Sequence, residues 1–350
     1  MKIGVLTGGG DAPGLNAVIR AFTIRATDLG HEVIGIRRGW AGLLDRVETV
    51  PLTRKDVADI IDEAGTILLT SRTNPAKSPE EIEKVKENMR RLGLDAVVAI
   101  GGDDTLGAAK KLSEEGVKVI GVPKTIDNDV PGTDFTFGFL TAVEEATENL
   151  DGLKVTGASH ERIMVVEIMG RHAGWIALYS GIAAAADLIL LPEEPFSMQE
   201  VVEFVKRKKA GGVSSLLIVV AEGAVIKDYA GPVTKDVKKD QFGNVTLGGI
   251  GEFLADQLEE ATGVEARFVA PAHILRGRRP IAFDRVLGTR FGLKAAELAD
   301  HGKFGRMVAL QGTKIVDADI KESLVGTRKV SKEFLEEKDL IVLGRERPLP

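Results

Sequence analysis

No cysteine occurs in the 350 residues, which removes disulfide scaffolds, thiolate catalysis and cysteine-bound metal clusters together. Aromatic residues make up only 5%, too few for a base-stacking platform or a carbohydrate-stacking surface. Positive charge is not in excess either. Forty-six basic residues face 52 acidic ones, a net of −6, which argues against a general nucleic-acid binder but leaves room for a local basic pocket. Long apolar runs are also missing. The opening stretch, Met1 to Thr7, has too short an apolar core for a signal peptide. Ile176 to Leu191 is apolar but carries Ser180, Gly181 and Asp187, and it is shorter than the ~20 residues of a spanning helix. The expectation is no membrane partner and a cytoplasmic location. What remains, 44% hydrophobic and 28% charged residues, is ordinary globular composition.

Short β-branched runs alternate with helical patterns along the whole chain. Lys2–Thr7, Glu32–Ile36, Ala96–Ile100, Lys118–Val122, Ile163–Ile168, Asp187–Leu191, Ser215–Ala221 and Arg267–Ala270 read as strands. They are nearly continuous hydrophobes, as expected where both faces of a parallel sheet are covered. Helical patterns cover Leu15–Leu29, Pro79–Leu92, Gly107–Glu115, Thr141–Leu150, Met198–Lys209, Gly251–Ala261 and Arg285–Ala299. Ser78-Pro-Glu-Glu81 and Ser197-Met-Gln-Glu200 have the form of capping boxes. The alternation predicts a doubly wound α/β architecture in two layers, with a seam near Phe137–Phe139.

In such sheets ligands bind beyond the carboxyl ends of the strands, where helix N-termini and loop amides converge. The first strand is followed by Gly8-Gly-Gly-Asp-Ala-Pro-Gly14. Its glycines would let backbone amides approach a phosphate, although a ligand-free turn explains them equally well. Pro13 stands where the dinucleotide fingerprint needs its third glycine, and no G-x-x-x-x-G-K-[ST] loop is present. The third strand leads into Gly101-Gly-Asp-Asp104. Two acids there either cap a helix or hold Mg²⁺, which takes one or two carboxylates and completes its shell with water and phosphate oxygens. After the fourth strand, Lys124-Thr-Ile-Asp-Asn-Asp129 offers a cation, a hydroxyl donor (Thr125) and a base (Asp127), in a loop whose residues would also suit plain Asx turns. Arg72, Arg162, Arg171, Arg267, His273 and Arg276 adjoin predicted strand ends. Singly each is more often a solvated surface residue; together they suit a phosphorylated sugar or a similar anion. His31, His160, His172 and His301 lack ligand spacing.

Taken in order, Gly9-Gly-Asp-Ala-Pro-Gly14, Gly101-Gly-Asp103, Lys124-Thr-Ile-Asp-Asn-Asp129, Met169-Gly-Arg171, His273-Ile-Leu-Arg276 and Asp284-Arg285 resemble the phosphofructokinase family from Lys2 to about residue 300. The resemblance implies two doubly wound, mostly parallel-sheet α/β domains with the active site in the cleft between them. A phosphoryl-donor domain would cover 1–138 and return over about 252–305. A sugar-phosphate domain would cover 139–251 and about 306–330, leaving 331–350 as a tail. Asp127 would be the base for the sugar 1-hydroxyl, Asp103 would hold Mg²⁺, and the Gly10 amide would hold the donor phosphate. Thr125 and Asp129 would position substrate and metal-bound water, and Arg72 and Arg171 would bridge the phosphates. Met169, Gly170 and Glu222 would meet the sugar. His273 and Arg276 would take its 6-phosphate, joined by Arg162 and Arg267 from a neighbouring subunit of a homodimer or homotetramer.

Donor choice turns on two positions. The ATP-using branch resembles this chain but has glycine where Asp104 stands and typically where Lys124 stands. A carboxylate at 104 would fill and repel the space of an α-phosphate, and Lys124 would neutralise charge on a diphosphate donor. The implied activity is a diphosphate–fructose 6-phosphate 1-phosphotransferase of glycolysis and gluconeogenesis. The alternatives are an ATP-dependent 6-phosphofructokinase or a catalytically silent sugar-phosphate sensor. Arg278 replaces a glycine of the family pattern, which bears on the local turn. In allosteric relatives an effector pocket uses several cations. Arg20 and Arg54 fit it, whereas Ile24, Gly211 and Val213 do not, so weak or absent nucleotide effector control is expected.

Overall fold

The computed structural model describes residues 1–227 and 248–342. The chain forms two compact units, one of Met1–Ile126, Val130–Thr141 and Arg276–Thr327, the other of Asp127–Asp129, Ala142–Leu275 and Arg328–Pro350.

The first unit is built on β1 (Lys2–Thr7), β2 (Glu32–Ile36), β3 (Thr49–Leu52), β4 (Ala96–Gly101), β5 (Val119–Pro123), β10 (Arg306–Gln311) and β11 (Lys314–Asp319). These make one sheet in the order β11-β10-β5-β4-β1-β2-β3. It is parallel except for β3 and β11, which run antiparallel at the two edges. Successive side chains of a strand point to opposite faces, and here both faces are apolar. Ile3, Val5, Val98 and Ile100 join one core with Leu15, Phe22 and Phe291, from α1 (Leu15–Asp28) and α9 (Ala282–Asp300). Leu6, Val97 and Ala99 join another with Val85 and Leu106, from α2 (Pro79–Leu92) and α3 (Asp103–Glu114). The chain leaves β1 toward β2 and later returns to β4 on β1's other side, so the sheet changes winding direction between β1 and β4. That is where such folds bind ligands. Helices α1 and α9 pack closely because α9 carries glycine at the contact: a Cβ on Gly292 would sit 2.5 Å from the Val18 carbonyl oxygen.

The second unit has a fully parallel sheet, ordered β7-β8-β6-β9, of β6 (Ile163–Ile168), β7 (Leu188–Leu190), β8 (Leu216–Ala221) and β9 (Ala266–Val269). One face is covered by α6 (Met198–Ala210) and α7 (Ile250–Thr262). The unit also holds α5 (Trp175–Ala183) and α10 (Lys332–Val342). Helix α4 covers Phe139–His160 and α8 covers Ile274–Gly277. Among the described residues no helix is long and apolar enough to cross a membrane; the apolar stretch after Ile176 is split into α5 and β7.

Strand pairing corrects the expected division of the chain. Residues 306–327 belong to the first unit because β10 pairs in parallel with β5, Arg306 opposite Ile120. Residues 252–275 stay with the second because β9 pairs with β6, Ile163 opposite Ala266. The return point is therefore Arg276. Residues 332–342 of the expected tail form α10, which docks on the second unit through the Phe334 ring, 5.5 Å from that of Tyr179, and through the ammonium of Lys338, which pairs with Glu194. Residues 343–350 of that expected tail lie outside the described residues. Strands β3, β10 and β11 were absent from the sequence reading. Pro51 interrupts β3, which is tolerated only at an edge, and β11 is a short polar edge strand. Of the two expected capping boxes, the one heading α6 is complete, whereas at α2 Ser78 accepts from the Glu81 N–H and the return bond is not made.

Candidate active site

In the first unit, the carboxyl ends of the neighbouring strands β1, β4 and β5 put three of the expected loops side by side. Gly8 N–H donates to the Ile100 carbonyl at 2.9 Å and Lys124 N–H to that of Gly101 at 2.9 Å, so the ladder continues past the strand ends. Gly9 N–H donates to the Ser71 carbonyl at 3.0 Å, and Thr70 Oγ1 donates to the Gly9 carbonyl at 2.6 Å. The segment before the exposed Arg72 is thereby tied to the glycine loop. Two of the glycines serve packing. A Cβ on Gly8 would lie 2.6 Å from Thr105 Oγ1, and one on Gly101 would strike the same threonine.

Two cations converge on Gly10. Lys124, only 4% exposed, donates from Nζ to the Gly10 carbonyl. The Arg276 guanidinium lies so close that a Cβ on Gly10 would collide with Nη1. Arg276 Nε is buried and has no hydrogen-bond partner among the described residues. Two cations held at one backbone position suit an anion. Helix α3 starts four residues earlier than its expected start at Gly107. Asp103 and Asp104 therefore occupy its first turn, Asp103 exposed and Asp104 half-buried, with Asp103 Oδ1 accepting the Asp104 N–H at 2.9 Å. The Thr125 carbonyl accepts from Thr136 Oγ1 at 2.8 Å. Arg278 avoids the left-handed region, so the missing glycine costs the turn nothing.

In the second unit, Asp127 is 6% exposed and is followed by Asn128 in a left-handed conformation, φ 53°. Asparagine tolerates that conformation better than most residues. After β6 the chain turns through Met169, Gly170 and Arg171. Gly170 is required: its φ is +153°, and a Cβ would lie 2.6 Å from the Ala173 carbonyl oxygen. Glu222, at the end of β8, uses Oε1 to accept the N–H groups of Gly170 (3.3 Å) and Arg171 (2.9 Å). Burial pushes its carboxyl above the usual range; those two N–H groups oppose the rise, while the nearby carboxylates of Asp127 and Glu167 add to it. His273 is exposed just before α8.

Arg162 and Arg267 are brought together, but elsewhere. Arg162 Nε is 2.7 Å from Glu265 Oε2, and Arg267 pairs with the same carboxylate. Arg162 precedes β6 and the Met169–Arg171 turn follows it, so the strand's six residues put roughly 20 Å between them. Of the two effector-type cations, Arg20 donates to the Ala58 carbonyl at 3.1 Å and Arg54 pairs with Asp28.

The sequence reading missed Arg328. Its N–H donates to the Asp129 carbonyl at 2.7 Å and its Nη1 to that of Asn128 at 3.0 Å. No motif marks it; only the folded chain brings it to residues two hundred positions earlier. It also missed Asp284 as a structural group. This fully buried carboxylate accepts from Thr141 N–H and Oγ1, and burial pushes its pKa up.

The profile described as Phosphofructokinase matches residues 2–299. A pyrophosphate–fructose 6-phosphate 1-phosphotransferase of Amycolatopsis methanolica is 51% identical, covering 97% of this chain and 99% of its own. An ATP-dependent 6-phosphofructokinase 3 of Streptomyces coelicolor is 47% identical, covering 94% and 96%. A phosphofructokinase structure from Saccharomyces cerevisiae superposes with a TM-score of 0.78 at 30% identity, covering 98% of this chain and 47% of the yeast one, so the chain spans about half the yeast protein's length.

Proposed function

The chain belongs to the phosphofructokinase family, and from that premise we propose that it transfers a phosphoryl group reversibly from inorganic diphosphate to the 1-hydroxyl of fructose 6-phosphate, in the cytoplasm. The observation that carries the choice of donor is a carboxylate, Asp104, in the first turn of α3, at the carboxyl ends of the strands where Lys124 reaches the Gly10 carbonyl. A nucleotide would bring its α-phosphate toward that carboxylate, whereas diphosphate has none to place there. Relatives named for diphosphate, 46–51% identical, support the reading, and one named for ATP at 47% makes position 104 the test.

Asp127 takes the proton of the sugar 1-hydroxyl as its oxygen forms the new bond to phosphorus, and the bond to the leaving phosphate breaks. Lys124, Arg72 and Arg171 offset the charge on the transferring and leaving groups, which is most of what this chemistry asks of a protein. Thr125 and Asp129 position substrate and would position the water that a bound Mg²⁺ would bring. Met169, Gly170 and Glu222 bind the sugar, Glu222 with the oxygen that is not holding the 170–171 turn. His273 and Arg276 take the 6-phosphate. Among the described residues no cluster of three or more His, Asp or Glu could cage a metal. The exposed Asp103 suits Mg²⁺, an ion that keeps most of its water and phosphate oxygens. When bound, the ion screens the donor's charge. Arg162 and Arg267, a strand's length from the 169–171 turn, serve a neighbouring subunit of a homo-oligomer. Nucleotide effectors act weakly.

The test is a side-by-side assay of purified protein with Mg²⁺, fructose 6-phosphate and either diphosphate or ATP. Turnover with diphosphate and little with ATP is expected, and Asp104→Gly should shift the kcat/KM ratio toward ATP. A wild-type preference for ATP would overturn the donor assignment. Asp127→Ser should lower kcat by about 10²–10⁴-fold while sparing sugar-phosphate binding, which also separates an enzyme from a silent sensor.

A further inference from the structure

Arg328 uses both its backbone and its side chain on one small region. Its N–H and Nη1 donate to the carbonyls of Asp129 and Asn128. The guanidinium carbon lies 4.4 Å from the Trp175 ring centroid, and Trp175 Nε1–H donates back to the Arg328 carbonyl at 2.8 Å. Trp175 opens α5, four residues after Arg171. Ala173 N–H donates to the Gly170 carbonyl at 3.1 Å, and Glu193 Oε1 accepts both Gly174 N–H (3.0 Å) and Val330 N–H (3.1 Å). The turn that carries Asp127 and the turn that carries Arg171 are thus both fastened to residues 328–330.

We propose that Arg328 is a positioning residue for phosphoryl transfer: it fixes the Asp127–Asn128–Asp129 turn against the head of α5. The proposal rests on Asp127 being the base. Asn128 is held in a left-handed conformation between two acids, and the Asn128 and Asp129 carbonyls take support from Arg328. A guanidinium provides it because its plane can lie on an indole while its edge donates to a carbonyl. An ammonium cannot do both equally well. A misplacement of about 1 Å in a reacting group costs about 10²-fold in rate, so loss of this support should fall on kcat.

Arg328→Ala should lower kcat about 10–100-fold in both directions, with KM for fructose 6-phosphate and for diphosphate within about threefold of wild type. Arg328→Lys should recover part of the loss. The chain's two tryptophans are Trp40 and Trp175, so emission should change in Arg328→Ala as the cation leaves the ring. Lys338→Met, which releases α10 from Glu194 without touching the 127–129 turn, is the control: it should lower the melting temperature and keep kcat. A folded Arg328→Ala with kcat within about twofold of wild type, or a Lys338→Met variant with the same loss, would overturn the proposal. Should Arg328→Ala not fold, Arg328→Lys decides by the same criterion: lower kcat at an unchanged melting temperature supports the role, and wild-type kcat removes it. Asp127→Ser is assayed in parallel. A dead Asp127→Ser with a normal Arg328→Ala removes this proposal alone, whereas an active Asp127→Ser removes the base assignment and the proposal with it.

Discussion

Glu222 shows how one side chain can be asked for two things. Its Oε1 holds the amides of Gly170 and Arg171, and burial drives its carboxyl above the ordinary value of 4.5. A carboxyl whose pKa rises on folding favours the folded chain while protonated. That advantage is complete below the ordinary value and is lost as pH rises through the raised one. The melting temperature of wild-type protein relative to that of Glu222→Gln, whose amide oxygen can still accept those N–H groups, should therefore fall as pH rises above 4.5. Melting curves across that range check this; parallel curves for the two proteins would show that the burial has no energetic consequence. The same variant should raise KM for fructose 6-phosphate if the other carboxylate oxygen meets the sugar.

Among the elements, α6 is the one whose start is most completely specified. Ser197 Oγ accepts the Glu200 N–H at 3.1 Å, and the Glu200 carboxylate accepts the Ser197 N–H at 2.8 Å, a bond that helps hold the Glu200 carboxyl below its usual range. Replacing such a cap costs ~1 kcal/mol. Ser197→Ala should thus lower the unfolding free energy read from urea titrations by that amount, with kcat unchanged. The bond pattern explains why this boundary was legible in the sequence to within a residue: both halves of the signal are local. Helix α3 behaved differently. Its start was expected at Gly107, but Gly102 caps it and both acids fall within its first turn. The glycines that disguised the start are there because Thr105 packs against Gly8 and Gly101, a contact between distant parts of the chain.

At the scale of the whole molecule, Arg162 and Arg267 share Glu265 at a distance from the 169–171 turn that no side chain spans. If they complete a site on a neighbouring subunit, inactive variants should complement one another. Mixing Arg267→Ala with Asp127→Ser and allowing subunits to exchange should restore roughly a quarter of the wild-type rate, since half of random pairs are hybrids and each hybrid holds one intact site. Activity no higher than the sum of the separate variants would place Arg267 outside the site. Sedimentation of the wild-type protein gives the subunit number directly.

What the sequence by itself determined were the features written in neighbouring residues: the apolar runs of β1, β4, β5, β6 and β8, the caps of α2 and α6, and the loops around Gly10, Asp103 and Asp127. Each depends on a period or a turn only a few residues long. The tertiary structure alone decided which strands share a sheet. It returned 306–327 to β5 rather than to the second unit, because backbone pairing, not proximity along the chain, assigns an edge strand. It also decided that Lys124 and Arg276 meet at Gly10 and that Arg328 braces the 127–129 turn. Those contacts join residues more than a hundred positions apart, and no local pattern encodes them, since the hydrogen bonds exist only once loop closure has brought the partners together.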